Sequence, residues 1–121
     1  MKKKEPVILD IACTKDDELI AAKDTLAILS GKWKIKLITT LNCGGALQFM
    51  EILRIIDGIG PKMLSKELQD LETNLLVKRT VMETRPVTVK YELTSHGHTL
   101  ERIINEMRLW GRSHRKEVMG R

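Results

Sequence analysis

The side chains best suited to acid–base chemistry lie near the carboxyl end of the chain. His96 and His98 are separated by one residue, His114 follows, and Glu101 and Glu106 supply carboxylates. Imidazoles and carboxylates can transfer protons or bind metal ions. However, the chain has no HExxH, phosphate-loop or GxSxG motif that would place such groups for catalysis. We therefore expect no enzyme activity, no cofactor and no metal site.

The two cysteines, Cys13 and Cys43, lie far apart and form no CxxC pair, which argues against a disulfide framework or a zinc site. Residues 7–9 form an apolar stretch too short for a signal peptide, and Glu5 and Asp10 interrupt it. No apolar run approaches the roughly 20 residues needed to cross a bilayer. We therefore expect a reducing, cytoplasmic location.

The composition is that of one folded domain. The 121 residues are 42% hydrophobic but only 3% aromatic, so aliphatic side chains must build the core. We expect residues 1–17 to form an N-terminal tail and residues 18–121 a single domain. Residues 7–11 could instead form a short strand. The net charge of +5 favours a polyanionic partner without identifying it.

The first half of the chain shows a helical period of apolar residues. A first helix is predicted over residues 17–29, and Ser30 could both follow it and cap the next helix. Trp33 lies on the apolar stripe of that second helix, so we expect it in the core. After a turn at residues 42–45, Leu47 is a candidate for a short strand.

A break at residues 57–60 separates a short helix from a second helix predicted over residues 61–73. Pro61 suits the first position of that helix, and Asn74 suits a left-handed residue at its end. Its apolar side chains would face the core: Leu64, Leu68 and Leu71. Two segments rich in β-branched residues, 77–83 and 87–93, then predict a hairpin, and a long last helix begins at Thr94 or Ser95.

This order predicts an α+β, mostly α, fold: a winged helix-turn-helix with a short β-hairpin wing and terminal dimerisation helices at about residues 19–29 and 95–118. Opposite its leucines, the second helix would present donors suited to a major groove. The wing would add basic side chains. These residues are Lys62, Ser65, Lys66, Gln69 and Thr73 on the helix and Lys78, Arg79, Arg85 and Lys90 on the hairpin.

Double-stranded DNA is therefore the expected partner. A solvated helix face without a partner, and a winged-helix module that binds protein or RNA, remain the alternatives. A protein-binding module should carry apolar residues where Lys62, Lys66 and Gln69 stand.

Several ordered motifs resemble those of the HxlR-type winged-helix regulators. Residues 30–33 (SGKW) resemble their GGKW signature, and residues 48–52 (QFMEI) are similar to their RFNEL segment. Residues 58–68 (GIGPKMLSKEL) resemble their recognition helix, GISPKMLSQRL. The resemblance continues through the hairpin and spans about residues 24–110.

The resemblance implies a bacterial or archaeal transcriptional regulator that binds pseudo-palindromic DNA as a homodimer through its terminal helices. It implies that one group of side chains enters the major groove: Lys62, Met63, Ser65, Lys66 and Gln69. It implies that a second group serves the wing: Arg79, Arg85 and Lys90.

The terminal helices carry more apolar side chains than one small domain can cover, which favours a twofold interface. Packing of the two helices against each other within one chain is the alternative. The predicted interface residues are Leu19, Leu26, Leu100, Ile103, Ile104, Met107 and Trp110.

One position departs from the family pattern. Many members carry a CPV motif before the first helix, and some use its cysteine to sense oxidants, but Ile20 occupies the aligned position here. Cys13 lies seven residues earlier in the chain. Cys13 is therefore a candidate redox sensor, and the simpler alternative is that its thiol is inert.

Overall fold

The computed structural model describes residues 16–120, which form two compact units, residues 16–31 and residues 32–120. Cys13 and most of the predicted tail lie outside the described residues. The grouping of residues 18–121 as one domain stays a prediction. The α+β fold itself is confirmed as a mostly helical winged helix-turn-helix. No helix within residues 16–120 is long and apolar enough to cross a membrane.

The first unit contains helix α1, Asp16–Leu29. The Ser30 backbone N–H donates to the Leu26 carbonyl at 2.8 Å, and the Ser30 hydroxyl donates to the Ala27 carbonyl at 3.1 Å. Ser30 therefore satisfies the last carbonyls of α1, and the prediction that it caps the next helix is wrong. Leu19 and Leu26 are 44% and 65% exposed.

The second unit begins with helix α2, Lys34–Gly44, which buries Leu37, Ile38 and Leu41. Trp33 stands immediately before the helix as its N-cap residue and is half-buried. The prediction that Trp33 is a core anchor is wrong, because α2 begins one residue after it and the indole is left at the edge of the core.

A short strand and a short helix follow the turn. Strand β1, Leu47–Gln48, leads directly into α3, Phe49–Ile55. The Gln48 backbone N–H donates to the Glu51 carboxylate at 2.7 Å, which satisfies a donor that the helix itself leaves unpaired. The strand predicted at Leu47 is confirmed.

Helix α4, Pro61–Thr73, begins with Gly60 as its N-cap residue and Pro61 at its first position. Its end differs from the prediction, because Leu75 rather than Asn74 adopts the left-handed conformation, with φ 64°. The Leu75 N–H donates to the Glu72 carbonyl at 3.0 Å and the Leu76 N–H to the Leu71 carbonyl at 2.9 Å. This is a Schellman motif whose left-handed position falls one residue after Asn74.

Strands β2, Val77–Met82, and β3, Thr88–Leu93, form the predicted hairpin. The three-stranded antiparallel sheet has the order β1-β3-β2, with β3 in the centre. Because side chains alternate along a strand, the face that carries Val77, Tyr91 and Leu93 is buried. Helix α4 packs against β2 and helix α2 against β3.

The predicted last helix is broken into α5, Ser95–His98, and α6, Leu100–Met119. The Thr94 hydroxyl accepts from the Gly97 N–H at 2.9 Å and donates to the Leu75 carbonyl at 2.7 Å. Thr94 thus caps α5 and ties it to the end of α4. Leu100 is only 6% exposed and belongs to the core of one protomer, so its prediction as a dimer-interface residue is wrong.

Candidate nucleic-acid interface

Helices α3 and α4 form the helix-turn-helix, and residues 56–60 form its turn. Gly58 lies in the turn with φ +90°, a conformation that favours glycine. A Cβ atom there would lie 3.8 Å from the Trp33 indole, so the ring packs beside the turn. Ile56 and Ile59 are buried on either side of this position. The turn is therefore anchored to the core and holds α4 at a set angle.

The two sides of α4 differ completely in burial. Leu64, Leu68 and Leu71 are each 0% exposed. The opposite side of the helix, at 3.6 residues per turn, is a solvent-exposed stripe of polar side chains. The stripe consists of Lys62, Lys66, Gln69 and Thr73, with exposed Met63 and Ser65 on its two flanks. The sequence-based division of this helix into core and outer faces is confirmed.

Two carboxylates on one flank of α4 are paired by a lysine from α2. The Lys34 ammonium lies 2.8 Å from Glu67 and 3.4 Å from Asp70. Asp70 also lies 3.7 Å from the exposed Lys66 ammonium. Sequence reasoning missed this cluster. Lys34 lies 33 positions before Glu67 in the chain, and no pattern within α4 indicates a contact between them.

The hairpin does not present all its basic residues on one side. Arg79 pairs in register with Tyr91, so it continues the face that covers the helices. Lys90 pairs with Thr80 and Gln48 and lies on the opposite face. Arg85 lies exposed between the strands, at the tip. Arg79 therefore lies on the sheet face that α4 packs against, Lys90 lies on the opposite face, and Arg85 lies at the tip.

A basic cluster at the start of α2 was not predicted. The Lys32 ammonium lies 5.0 Å and the Lys36 ammonium 5.6 Å from the centre of the Trp33 ring. Both distances fit cation–π contacts. The signal in the sequence is an aromatic residue that follows one lysine directly and precedes another by three positions.

Comparison with known proteins extends these findings. The HxlR-like helix-turn-helix family matches residues 28–119. The chain belongs to this family. One relative of the HxlR-like chain is the uncharacterized HTH-type transcriptional regulator YdzF of Bacillus subtilis (strain 168), 36% identical over 87 residues, which cover 72% of this chain and 80% of YdzF.

Solved structures agree with the family assignment. The redox regulator HypR in its reduced form matches with a TM-score of 0.74 and 36% identity, covering 84% of this chain and 99% of HypR. A MarR-family transcriptional regulator from Enterococcus faecalis V583 matches with a TM-score of 0.78 and 28% identity, covering 91% of this chain and 98% of that one. The HxlR-like chain is a DNA-binding transcriptional regulator with a winged-helix fold.

Helix α6 of this HxlR-like regulator carries an exposed apolar stripe. Ile103, Met107 and Trp110 recur at helical spacing and are 39%, 44% and 67% exposed, and Val118 continues the stripe. Ile104 is half-buried. The His114 ring stacks on Trp110 with centroids 4.7 Å apart. No other described element of residues 32–120 covers the stripe.

The remaining titratable groups of the HxlR-like chain are dispersed. The Cys43 thiol is exposed and has no disulfide partner among residues 16–120. His98 lies 3.2 Å from the Asn42 side chain, so its ring has a structural partner. Within the same residues, no group of three His, Cys, Asp or Glu side chains could hold a metal ion.

Proposed function

We propose that this protein binds a pseudo-palindromic DNA operator as a homodimer, with α4 of each protomer in a major groove and the hairpin on the adjoining backbone or minor groove. The observation that carries the proposal is the division of α4 between a buried leucine face and an exposed polar face. A helix that only kept the protein soluble would not need a turn anchored on both sides. The division favours a helix that is held rigidly and presented outward.

The exposed stripe has the chemistry that a major groove requires. Lysine ammonium groups can donate to phosphates or to guanine O6 and N7, and a glutamine amide can pair with adenine N6 and N7. Lys62 and Lys66 supply the first chemistry and Gln69 the second. Met63 and Ser65 lie on the flanks, where an apolar contact with a thymine methyl or a hydrogen bond to a base edge is within their chemistry.

The hairpin supplies the second contact. Arg79 lies on the sheet face that α4 packs against, Arg85 lies exposed at the tip, and an arginine at a wing tip suits a phosphate or the narrow minor groove. The opposite orientation of Lys90 disfavours its predicted role on the same duplex. We propose that Arg79 and Arg85 contact DNA through the wing. A Lys90 variant tests whether the opposite face of the sheet takes part.

The exposed stripe on α6 supports the dimer. Large apolar side chains on a water-facing helix indicate a covered surface, and a twofold axis covers the same stripe on both copies. A dimer would place two α4 helices in successive major grooves about 34–36 Å apart. The exposed leucines of α1, Leu19 and Leu26, are proposed to join Ile103, Ile104, Met107 and Trp110 in this interface.

Binding of protein or RNA is the second candidate for the winged-helix module. The exposed face of α4 argues against a protein partner, because it presents lysines and a glutamine where an interface core would need apolar or aromatic side chains. The well-formed α4 also matches the width of the major groove of B-form DNA better than that of RNA, whose major groove is too narrow for side chains to read.

A regulator of this kind acts on the chromosome, so we place it in the cytoplasm of a prokaryotic cell, without enzyme activity or cofactor. Cys13 stays a candidate redox sensor. The redox regulator HypR is 36% identical to this chain, but Ile20 occupies the position aligned with the family cysteine here.

Selection of bound sequences from random duplexes tests the proposal, and it can be repeated with oxidant to test Cys13. We expect one enriched sequence with twofold symmetry. Lys66→Glu should abolish the gel shift of that sequence because it places a carboxylate beside Asp70 on the groove-facing surface. Lys116→Glu, which makes the same charge change at the end of α6, is the control. Normal binding by the Lys66 variant would reject the groove assignment.

A further inference from the structure

The start of α2 holds two cations against one aromatic ring. Lys32 and Lys36 are both exposed and lie 5.0 Å and 5.6 Å from the Trp33 ring centre. A ring on which an ammonium rests restricts the motion of a long side chain, while the charge stays hydrated and accessible. The cluster therefore presents two partly ordered positive charges to solvent.

The cluster lies beside the helix-turn-helix. Trp33 packs next to Gly58 of the turn. The next residue, Lys34, reaches Glu67 and Asp70 on the flank of α4. Two separate contacts thus place this end of α2 beside the turn and along the flank of α4, next to the edge of the polar stripe.

Charge distinguishes the three lysines at this end of α2. Lys34 is neutralised by Glu67 at 2.8 Å. Lys32 and Lys36 form no ion pair with any carboxylate among residues 16–120. A lysine that stabilised the fold electrostatically would have an acidic partner. Two unpaired lysines on a shared ring are instead free to meet an external anion.

We infer that Lys32 and Lys36, positioned by Trp33, bind the DNA backbone phosphates that border the major groove entered by α4. The inference rests on the proposed function and adds a third contact region to α4 and the wing. Phosphate contacts carry no sequence information, but they set the position and orientation of a protein on a duplex. Partial ordering of the two lysines on the ring reduces the entropy lost when they bind.

The salt dependence of operator binding tests the inference. We would measure fluorescence anisotropy of a labelled operator duplex with the Lys32→Gln, Lys36→Gln double variant. Each phosphate contact contributes about 0.9 to the slope of log affinity against log salt, so the slope should become less steep by about 1.8 per bound protomer. The affinity gap to wild type should narrow about tenfold per protomer between about 50 and 200 mM salt.

The Arg112→Gln, Lys116→Gln double variant is the matched control, since it removes the same charge from α6. It should keep the wild-type slope. Phosphate ethylation interference gives a second readout: the Lys32, Lys36 variant should lose interference at phosphates bordering the groove, while its preferred base sequence stays the same. Circular dichroism and thermal melting check that both variants fold.

Trp33 is a positioning residue in this scheme. Trp33→Leu keeps both charges but removes the ring, and it should weaken binding several-fold. Trp33→Phe, which retains an aromatic face, should restore most of the affinity. Equal binding by the two variants at equal stability would overturn the positioning role.

The outcomes separate this inference from the proposed function. A wild-type protein that binds operator no better than scrambled duplex rejects both. Specific wild-type binding, together with an unchanged slope and interference pattern in the Lys32, Lys36 variant, rejects the phosphate contacts alone. An equal slope change in the α6 control means that only net charge matters, and it also overturns the inference.

Discussion

The ammonium nitrogen of Lys34 lies 2.8 Å from Oε1 of Glu67, and their side chains are only 12% and 11% exposed. This contact joins α2 to the recognition helix α4. The same ammonium lies 3.4 Å from Asp70, which also lies 3.7 Å from the Lys66 ammonium, so two lysines face two carboxylates on the flank of the helix that we propose enters DNA. Negative charge that would repel a phosphate is thus balanced within the protein.

Replacing Lys34 by methionine should destabilise the fold. The variant leaves Glu67 nearly buried without a counter-charge, and we expect a loss of about 2–4 kcal/mol in the free energy of unfolding. The Lys34→Met, Glu67→Met double variant removes both charges and should recover most of this loss. Urea unfolding measures both. A double variant as unstable as the single one would show that the pair is not what stabilises this contact.

Leu75→Gly should raise stability. Leucine at φ 64° places its Cβ close to the following carbonyl oxygen, and glycine avoids this contact. Leu75 is 70% exposed, so little packing is lost. We expect the free energy of unfolding, measured by thermal denaturation, to rise by about 1 kcal/mol. Leu75→Ala is the control, since it shortens the side chain but keeps the Cβ. Equal melting temperatures of the two variants would show that the Cβ at this left-handed position does not strain the backbone.

Gly97 and Gly111 should respond oppositely to alanine. A Cβ on Gly97 would collide with the Leu76 carbonyl oxygen, whereas a Cβ on Gly111 meets nothing within 4 Å. We expect Gly97→Ala to cost about 2 kcal/mol or more because the backbone must shift. Gly111→Ala, inside α6, should gain about 0.5–1 kcal/mol from helix propensity. Denaturant midpoints of the two variants give the comparison, and changes of the same sign would refute it.

The wing arginines should affect the salt dependence of operator binding more than Lys90 does. Arg79→Gln and Arg85→Ala should each flatten the salt slope by about 0.9 per protomer, because each removes one phosphate contact. Lys90→Gln, on the opposite face of the sheet, should leave the slope unchanged. Anisotropy titrations over a salt series measure all three. A flatter slope for the Lys90 variant alone would place the duplex on the other face.

Met107→Glu should disrupt the proposed dimer. It places a charge in the centre of the apolar stripe on α6, where two copies would bury it twice. Leu109→Glu is the control, because Leu109 is similarly exposed, at 40% against 44%, but lies off the stripe. Sedimentation velocity should show a monomer for the first variant and a dimer for the second. A wild-type monomer at micromolar concentration would reject the interface itself.

The periodicity of the sequence accounts for the elements and for the division of α4. Leucines at positions 64, 68 and 71 recur at helical spacing, and in β3 the apolar residues at positions 89, 91 and 93 alternate with polar ones. Both patterns are local, and each specifies which side of its own element is apolar. Gly60 and Pro61 likewise indicate the beginning of α4.

Details that depend on exact backbone register could not be predicted so well. The left-handed residue after α4 is Leu75 rather than Asn74, and Leu100 is buried rather than exposed. A shift of one residue in a helix end, or a break such as that at Thr99, rotates every following side chain by about 100°. Periodicity in the sequence does not resolve such a shift.

The sequence by itself determined the order of helices and strands and the apolar side of each. It also determined the net positive charge, which favours an anionic partner. Only the tertiary structure decided which of the positive charges have an acidic partner and which remain available to bind an external anion. Lys32, Lys34 and Lys36 look alike in the sequence, but packing of α2 against α4 pairs Lys34 with acids and leaves the other two on Trp33. Ion pairing between distant positions depends on how complete elements pack, and no local pattern records that geometry.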